Sequence, residues 1–288
     1  MKKQILYIAG LLVFVLTLLG CKSALSTANF STESEVKKIT IEEIACDIEI
    51  LPTDDSILSM EYSELKEKYT YVITMNNQTG SLVIKRKDNR KGFAKESFTN
   101  QARTTIYIPN DFEVELDIDC NAGSINIDDV NTKDIAIDLN AGDVKIRNIK
   151  SENKIDIKVQ FGDITLNNVD TTELSCDLNA GNYEIQSCNF SEKMTIKGYA
   201  GDAELSDVKS PNNNIEITNG DVEYYYVEVL KTLNITVTTG DINISLTGKK
   251  ADYTLTKNVM GTTETVGSGS LIVNLSITVG RAEVTYLK

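Results

Sequence analysis

The sequence reads as all-β: a parallel β-solenoid, or β-helix, of 19–20-residue coils behind an irregular β-rich N-terminal cap. Three observations lead there. First, a glycine-centred motif recurs from residue 121: NAGSINI, NAGDVKI, QFGDITL, NAGNYEI, YAGDAEL, TNGDVEY and TTGDINI. Its glycines are Gly123, Gly142, Gly162, Gly181, Gly201, Gly220 and Gly240, spaced alternately by 19 and 20 residues. A fixed period of that size marks a repeat architecture. Second, apolar and polar residues alternate strictly on both sides of each glycine, the signature of two half-buried strands per repeat rather than a helix. Third, the alternation keeps one register from repeat to repeat. That suits coils stacked at about 4.8 Å, with equivalent side chains in columns.

The chain opens differently. Met1, Lys2 and Lys3 form a basic start, and residues 5–19 are almost wholly apolar. That run falls short of the roughly 20 residues a membrane span needs and suits a signal peptide. Leu18-Leu19-Gly20-Cys21 resembles a bacterial lipobox. The expectation is a lipoprotein signal peptide over 1–20, cleavage before Cys21, and lipidation of Cys21. The membrane is then a partner through that lipid anchor. Removing Lys2 and Lys3 takes the net charge from −13 to −15. Residues 21–35 are rich in Ser and Thr and read as a flexible tether.

Residues 36–288 follow as the solenoid domain. Within 36–110, strand-like alternation continues (Val36 to Ile41, Asp47 to Ile50, Tyr71 to Met75, Leu82 to Lys85, Thr105 to Pro109) without the glycine motif. Terminal repeats are atypical because they cap the core, so this is the expected cap. Lys85 to Lys95 forms a basic loop within it. Residues 111–247 hold the regular coils. Inward columns are predicted five and three residues before each glycine (Ile118, Ile137, Ile157; Cys120, Leu139, Val159). Others lie two, four and seven after it (Ile125, Val144; Ile127, Ile146; Val130, Ile149). The Gly-Asp step marks a corner, Gly for its backbone freedom and Asp for side chain–backbone hydrogen bonding. A weaker motif, TVGRAEV, sits at Gly280, forty residues after Gly240, which leaves room for one degenerate coil. Residues 248–288 are therefore expected to hold a distorted coil and a C-terminal coil.

These features together resemble the bacterial putative-adhesin family, β-solenoid cell-surface lipoproteins long catalogued as a domain of unknown function. The resemblance rests on the lipobox-like start, the irregular β-rich opening and the NAG(D/S)-type corners, and spans roughly 36–288. It implies a right-handed solenoid at the cell envelope, and some relatives are linked to envelope stress responses. It brings no catalytic residues with it.

Composition narrows the chemistry. The chain of 288 residues has no His and no Trp. No Ser-His-Asp or Cys-His pair can form, and no imidazole can bind zinc. The acidic balance argues against nucleic acid, which needs clustered Lys and Arg. Cys46, Cys120, Cys176 and Cys188 have no pairing motif and read as buried small hydrophobes. Asp117, Asp119, Asp138, Asp156 and Asp177 are predicted on the outer face. Paired carboxylates of that kind serve glycosidases, but only with one raised pKa in a pocket. A solvated face that blocks lateral pairing is the simpler reading. The corner residues Asp143, Asp163, Asp202, Asp221 and Asp241 do not supply the converging 6–8 oxygens that calcium wants, so turn formation explains them better. Asn121, Asn140, Gln160 and Asn179 are expected to stack their amides, with Thr218, Thr238 and Thr278 continuing the row. In Tyr224-Tyr225-Tyr226, alternation turns Tyr224 inward and Tyr225 outward.

The reading that follows is a non-catalytic, extracytoplasmic, membrane-anchored solenoid that binds or scaffolds at the cell envelope. It needs no cofactor or metal. A cell-wall glycan or an envelope protein is the expected partner. The alternatives are a carbohydrate-active β-helix enzyme with a groove lined by Asp117, Asp138 and Asp156, or a sensor of envelope stress.

Overall fold

The computed structural model describes residues 26–64, 69–89 and 102–287. The apolar run at 5–19, Cys21 and residues 90–95 of the basic loop lie outside these. Nearly all described residues form strands, and two parallel ladders organise them. One sheet collects the strands before each corner: Val114–Ala122, Asn131–Ala141, then the later parts of Val144–Phe161 and Ile164–Ala180. Asn189–Ala200, Lys209–Asn219, the later part of Val222–Thr239, and Leu271–Val279 continue it. The second sheet collects the strands after the corners, among them Ile125–Asp128, Tyr183–Gln186, Ala203–Ser206, Ile242–Thr247 and Ala282–Leu287. All these neighbours pair in parallel.

The predicted columns close the core between the sheets. Ile157 pairs with Ile137 on one side and Cys176 on the other, and the row runs on through Ile196, Ile215, Ile235 and Leu275. All seven are buried. Where the column of Leu139 and Val159 reaches Gly198, a large neighbour compensates. A Cβ there would lie 3.3 Å from the Tyr183 ring and 2.7 Å from Ile217 Cδ1. Tyr183 is buried, and its hydroxyl donates to the Lys197 carbonyl.

Two further corners were not read from the motif. Six residues after successive glycines stand Asp129, Asn148, Asn168, Ser187, Asp207 and Tyr226, each with φ between 51° and 58°. Asn, Asp and Ser lead this row because short polar side chains tolerate the left-handed conformation. The third corner is a bulge that absorbs the alternation of 19 and 20. Ser151 aligns with Thr132, but Lys154 aligns with Asp134, so the longer coil carries one extra residue there. The next, shorter coil removes it, with Asp170 and Glu173 against Lys150 and Lys154, and Thr171 Oγ1 donating to the Asn153 carbonyl. Buried Ser and Thr hydroxyls tie this corner to the coil before, as Ser151 Oγ donates to the Lys133 carbonyl at 2.9 Å.

Both ends depart from the sequence reading. Residues 38–53, placed in the cap, form a coil of their own. Lys38–Glu43 pairs in parallel with Val114–Ala122, and Asp47–Thr53 with Ile125–Asp128. Cys46 takes the corner place that glycine holds elsewhere, its N–H donating to the Ala122 carbonyl at 2.8 Å. The chain then steps outward. Ser81–Asp88 and Arg103–Pro109 stack on the far side of this coil before the chain returns to 114. Antiparallel strands cover the end: Tyr69–Asn76 on the first sheet, and Leu58–Glu64 then Ser26–Thr32 on the second. Ser26–Thr32 therefore corrects the tether reading. An edge strand gains its pairing from backbone hydrogen bonds and needs few apolar residues; Phe30 alone packs on the core from this segment.

The other end is also out of order. No degenerate coil lies between Gly240 and Gly280. Gly240 N–H donates to the Val279 carbonyl at 2.9 Å, so the last coil stacks directly on the Gly240 coil. Tyr253–Val259 lies outside it, against Leu271–Val279, with Thr262–Val266 folded back antiparallel. Sequence distance misleads here because the intervening residues leave the stack and return.

The four described cysteines are free and buried. Burial pushes the thiols of Cys120 and Cys188 up to about 12, and those of Cys46 and Cys176 higher still. Since the thiolate is the reactive form, none of these four should react with a disulfide reagent at neutral pH until denaturant is added. Reaction in the folded state at the rate of a free thiol would show that the coils open locally.

Candidate functional site

The outer face of the first sheet carries the predicted carboxylates in two rows. Asp119, Asp138, Lys158, Asp177, Lys197 and Glu216 are successive neighbours in one. Asp117, Ala136, Asp156, Ser175, Thr195, Asn214 and Asn234 form the other. The structure therefore brings Asp119 beside Asp138, while Ala136 separates Asp117 from Asp156. Lys38 Nζ lies 3.1 Å from Asp117, and Lys154 Nζ lies 2.9 Å from Asp156. These exposed pairs contribute little stability, about 0–1 kcal/mol each. Composition changes along the face. Aspartates dominate the early coils; Lys154, Lys158, Lys193 and Lys197 interleave with Asp156, Glu173 and Asp177 in the middle; Asn and Thr take over beyond.

The lysines form a group that the sequence reading did not single out. They could have been found by applying the inward register to the polar positions between. With Asp156 and Asp177 they line an open depression of about 270 Å³. A second, of about 460 Å³, is lined by Lys193, Lys197, Asn212, Asn214 and Asn234. Neither encloses the carboxylates. General acid catalysis by a carboxyl needs burial or a like charge to raise its pKa, and this face supplies open solvent and alternating lysines. It offers instead rows of charges and amides repeated at the coil spacing of about 4.8 Å.

The corner aspartates have a direct structural task. Asp143 Oδ1 accepts the N–H of Asp163 at 3.0 Å, and Asp163 Oδ1 that of Asn182 at 2.8 Å. Asn182, Asp202, Asp221 and Asp241 continue the chain of acceptors to the N–H of Arg281. Asp47 begins a similar link to Ser124 at the other end. Each side chain thus satisfies a backbone donor of the next coil. The Arg281 guanidinium, hydrogen-bonded at 2.9 Å, holds the Asp241 carboxyl below its ordinary value. Among the described residues, no three Asp, Glu or Cys are placed to hold a metal ion. Asp143→Asn keeps an oxygen acceptor and should leave the urea midpoint almost unchanged. Asp143→Ala orphans the Asp163 N–H and should cost about 1 kcal/mol. Added Ca²⁺ should shift neither; a Ca²⁺-dependent loss in Asp143→Asn would overturn this assignment.

The amide row is joined where Asn140 Nδ2 donates to Asn121 Oδ1 at 2.7 Å. A second amide link, from Asn168 to Asn148 at 2.9 Å, lies at the left-handed corner. Tyr224 is buried, its hydroxyl donating to the Val208 carbonyl at 3.0 Å. Tyr225 turns outward and donates to Glu223 at 2.6 Å. The most exposed of the three is Tyr226, on the left-handed corner. Phe161 and Tyr199 are also exposed aromatics, near the glycine corner two coils apart.

A parallel solenoid with out-of-order end coils and charged outer ladders defines the class of protein. The chain belongs to the Toastrack DUF4097 family, whose model matches residues 36–258 and 151–286. No curated protein matches it. Among solved structures it is similar to a putative adhesin from Parabacteroides merdae ATCC 43184, at 17% identity over 92% of this chain and 96% of that one, with a TM-score of 0.49. It is also similar to a putative lipid binding protein from Parabacteroides distasonis ATCC 8503, at 16% identity over 92% and 97%, with a TM-score of 0.45. A putative adhesin from Bacteroides fragilis NCTC 9343 is 14% identical over 93% and 100%, with a TM-score of 0.40. Among the described residues no helix is long and apolar enough to cross a membrane.

Proposed function

We propose that this chain is an extracytoplasmic β-solenoid, lipid-anchored through Cys21, that binds or scaffolds at the cell envelope without catalysis. The observation that carries the reading is the open outer face. Asp117, Asp138 and Asp156 stand on a sheet surface beside Lys38, Lys158 and Lys154, with no enclosing groove. A repeated surface of this kind gains affinity from many weak contacts to an equally repetitive partner. A cell-wall glycan is such a partner. The apolar run before Cys21 supports the anchor.

The test is co-sedimentation of the purified chain with insoluble cell-wall glycan. Binding should be saturable, and Lys158→Glu with Lys197→Glu should weaken it, since both side chains are exposed and outside the core. Release of soluble saccharide that disappears in Asp138→Asn would make the protein an enzyme and sink the reading.

A further inference from the structure

The two sheets end unequally at the C-terminal end of the solenoid. On the first sheet, Leu271–Val279 is covered by Tyr253–Val259, and that strand by Thr262–Val266. On the second sheet, Ala282–Leu287 pairs with Ile242–Thr247 on one side. Among the described residues no strand pairs with its other side. The stack therefore ends in a step, with one sheet continuing past the level where the other stops.

The core is unfinished at that step. In the preceding coil the inward side chains Ile242, Ile244 and Leu246 are 0%, 2% and 0% exposed. Their stacked partners Ala282, Val284 and Tyr286 are only half-buried, although they pack on the same core. The opposite end shows what closure looks like. There the second sheet is extended by Leu58–Glu64 and Ser26–Thr32, and Ile106 and Ile108 beneath are fully buried. The floor of the step is apolar at Tyr253 and Leu255, which face the interior, and polar at Lys257, which reaches the second sheet; the Tyr253 ring lies 6.0 Å from that of Tyr286.

We infer that the free edge of Ala282–Leu287 is a docking site for one extended segment of another polypeptide, which adds a strand to the second sheet. An open edge offers unpaired backbone groups, and β-augmentation uses them for affinity while side-chain pockets set specificity. The geometry fixes the chemistry of the occupant. Apolar side chains at alternate positions would cover Val284 and Tyr286. The outer-face residue opposite Glu283 would be basic, because Glu283 is exposed and opposite charges across strands attract. Of the cations nearby, Arg281 is engaged by Asp241, and the Lys257 ammonium donates to the Ala282 carbonyl at 3.4 Å. A second copy fits poorly. Pairing two such edges about a twofold axis would bring the partner's first sheet to the level that Tyr253–Val259 and Thr262–Val266 already occupy. One strand fits the step, and a whole solenoid does not. This surface is independent of the glycan reading, since it lies at the end of the stack and not on the outer faces.

The probe is a fluorescent, end-blocked peptide of alternating valine and threonine with a central lysine, titrated against the full chain by anisotropy. Binding should be saturable, with hydrogen-exchange protection gained at residues 282–287. Val284→Lys should weaken it about tenfold, equivalent to about 1.4 kcal/mol. Glu283→Lys leaves the core untouched. It should weaken the lysine peptide and restore affinity for a peptide with central glutamate. Absence of saturable binding, or binding that neither substitution changes, would overturn the assignment. So would a free chain that is dimeric with 282–287 already protected, because the edge would then belong to a second copy.

Discussion

Gly162→Ala should lower stability by about 4 kcal/mol or more, read as a fall in the urea midpoint, because two independent obstacles coincide. The backbone at Gly162 has φ of +140°, a conformation that an L side chain rarely adopts. The added Cβ would also sit 1.9 Å from the carbonyl oxygen of Gly142 in the neighbouring coil and 2.5 Å from its carbon. These are backbone atoms, so no side chain can swing away. The backbone cannot retreat cheaply either. Gly142 N–H donates to the Phe161 carbonyl at 2.8 Å, and Gly162 N–H to the Ala180 carbonyl at 3.0 Å. Relief means spreading coils that these two hydrogen bonds and the parallel ladders on either side hold together. In a stack whose stability is a sum of coil and interface terms, one spread interface can also divide the molecule into two cooperative units, so the denaturant dependence should flatten. Gly261→Ala is the control. Its φ is +80°, but nothing lies within 4 Å of the added atom, so only the left-handed cost of about 1 kcal/mol remains. Equal losses for the two variants would mean that the corner opens and that close stacking is not what selects glycine.

This result bears on how much of the fold was legible. Gly162 was visible as a corner because the motif repeats and because alternation reverses around it. Its collision with Gly142 was not, since sequence gives the period and not the distance between coils. The left-handed corner at Asn148 and Asn168 was in principle visible six residues after each glycine. It was missed because Asn and Asp also fill the outward positions of these strands, which hid the column. The end coils were beyond reach for a topological reason. Lys38–Glu43 has the same alternation as any other strand here, and nothing in its residues says that Ser81–Asp88 will stack on one side of it and Val114–Ala122 on the other. The outer face was legible residue by residue and not as a surface. Asp117, Asp138 and Asp156 were correctly turned outward, yet they looked acidic until the register placed Lys154, Lys158 and Lys197 among them. A site made of rows emerges only when coils are aligned.

Ile157→Asp should be the most damaging core change, at about 5 kcal/mol or more, and its pH dependence separates the causes. Ile157 is fully buried in the middle of the column between Ile137 and Cys176, with parallel strands on both sides. Ile157→Val deletes one methylene and should cost about 0.5–1.5 kcal/mol. The aspartate removes most of the apolar side chain and also buries a carboxyl among apolar columns where the neighbouring Cys176 offers only a weak S–H donor, a penalty of several kcal/mol. Burial disfavours the charged form, so the folded-state pKa of the new group must rise above its unfolded value of about 3.9. The sign follows. Above the folded pKa, the folded state must either hold a buried charge or take up a proton, and the deficit relative to wild type is greatest. As pH falls through the folded pKa toward the unfolded one, the carboxyl is protonated in the folded state and the deficit shrinks. At still lower pH it levels at the packing loss alone. The comparison with wild type at each pH is essential, because it cancels what the rest of the chain contributes in both proteins. A deficit that stays constant from neutral to acid pH would mean the aspartate reaches water, and hence that the two sheets part at that coil. A deficit no larger than that of Ile157→Val would remove the column from the list of features that hold the solenoid together.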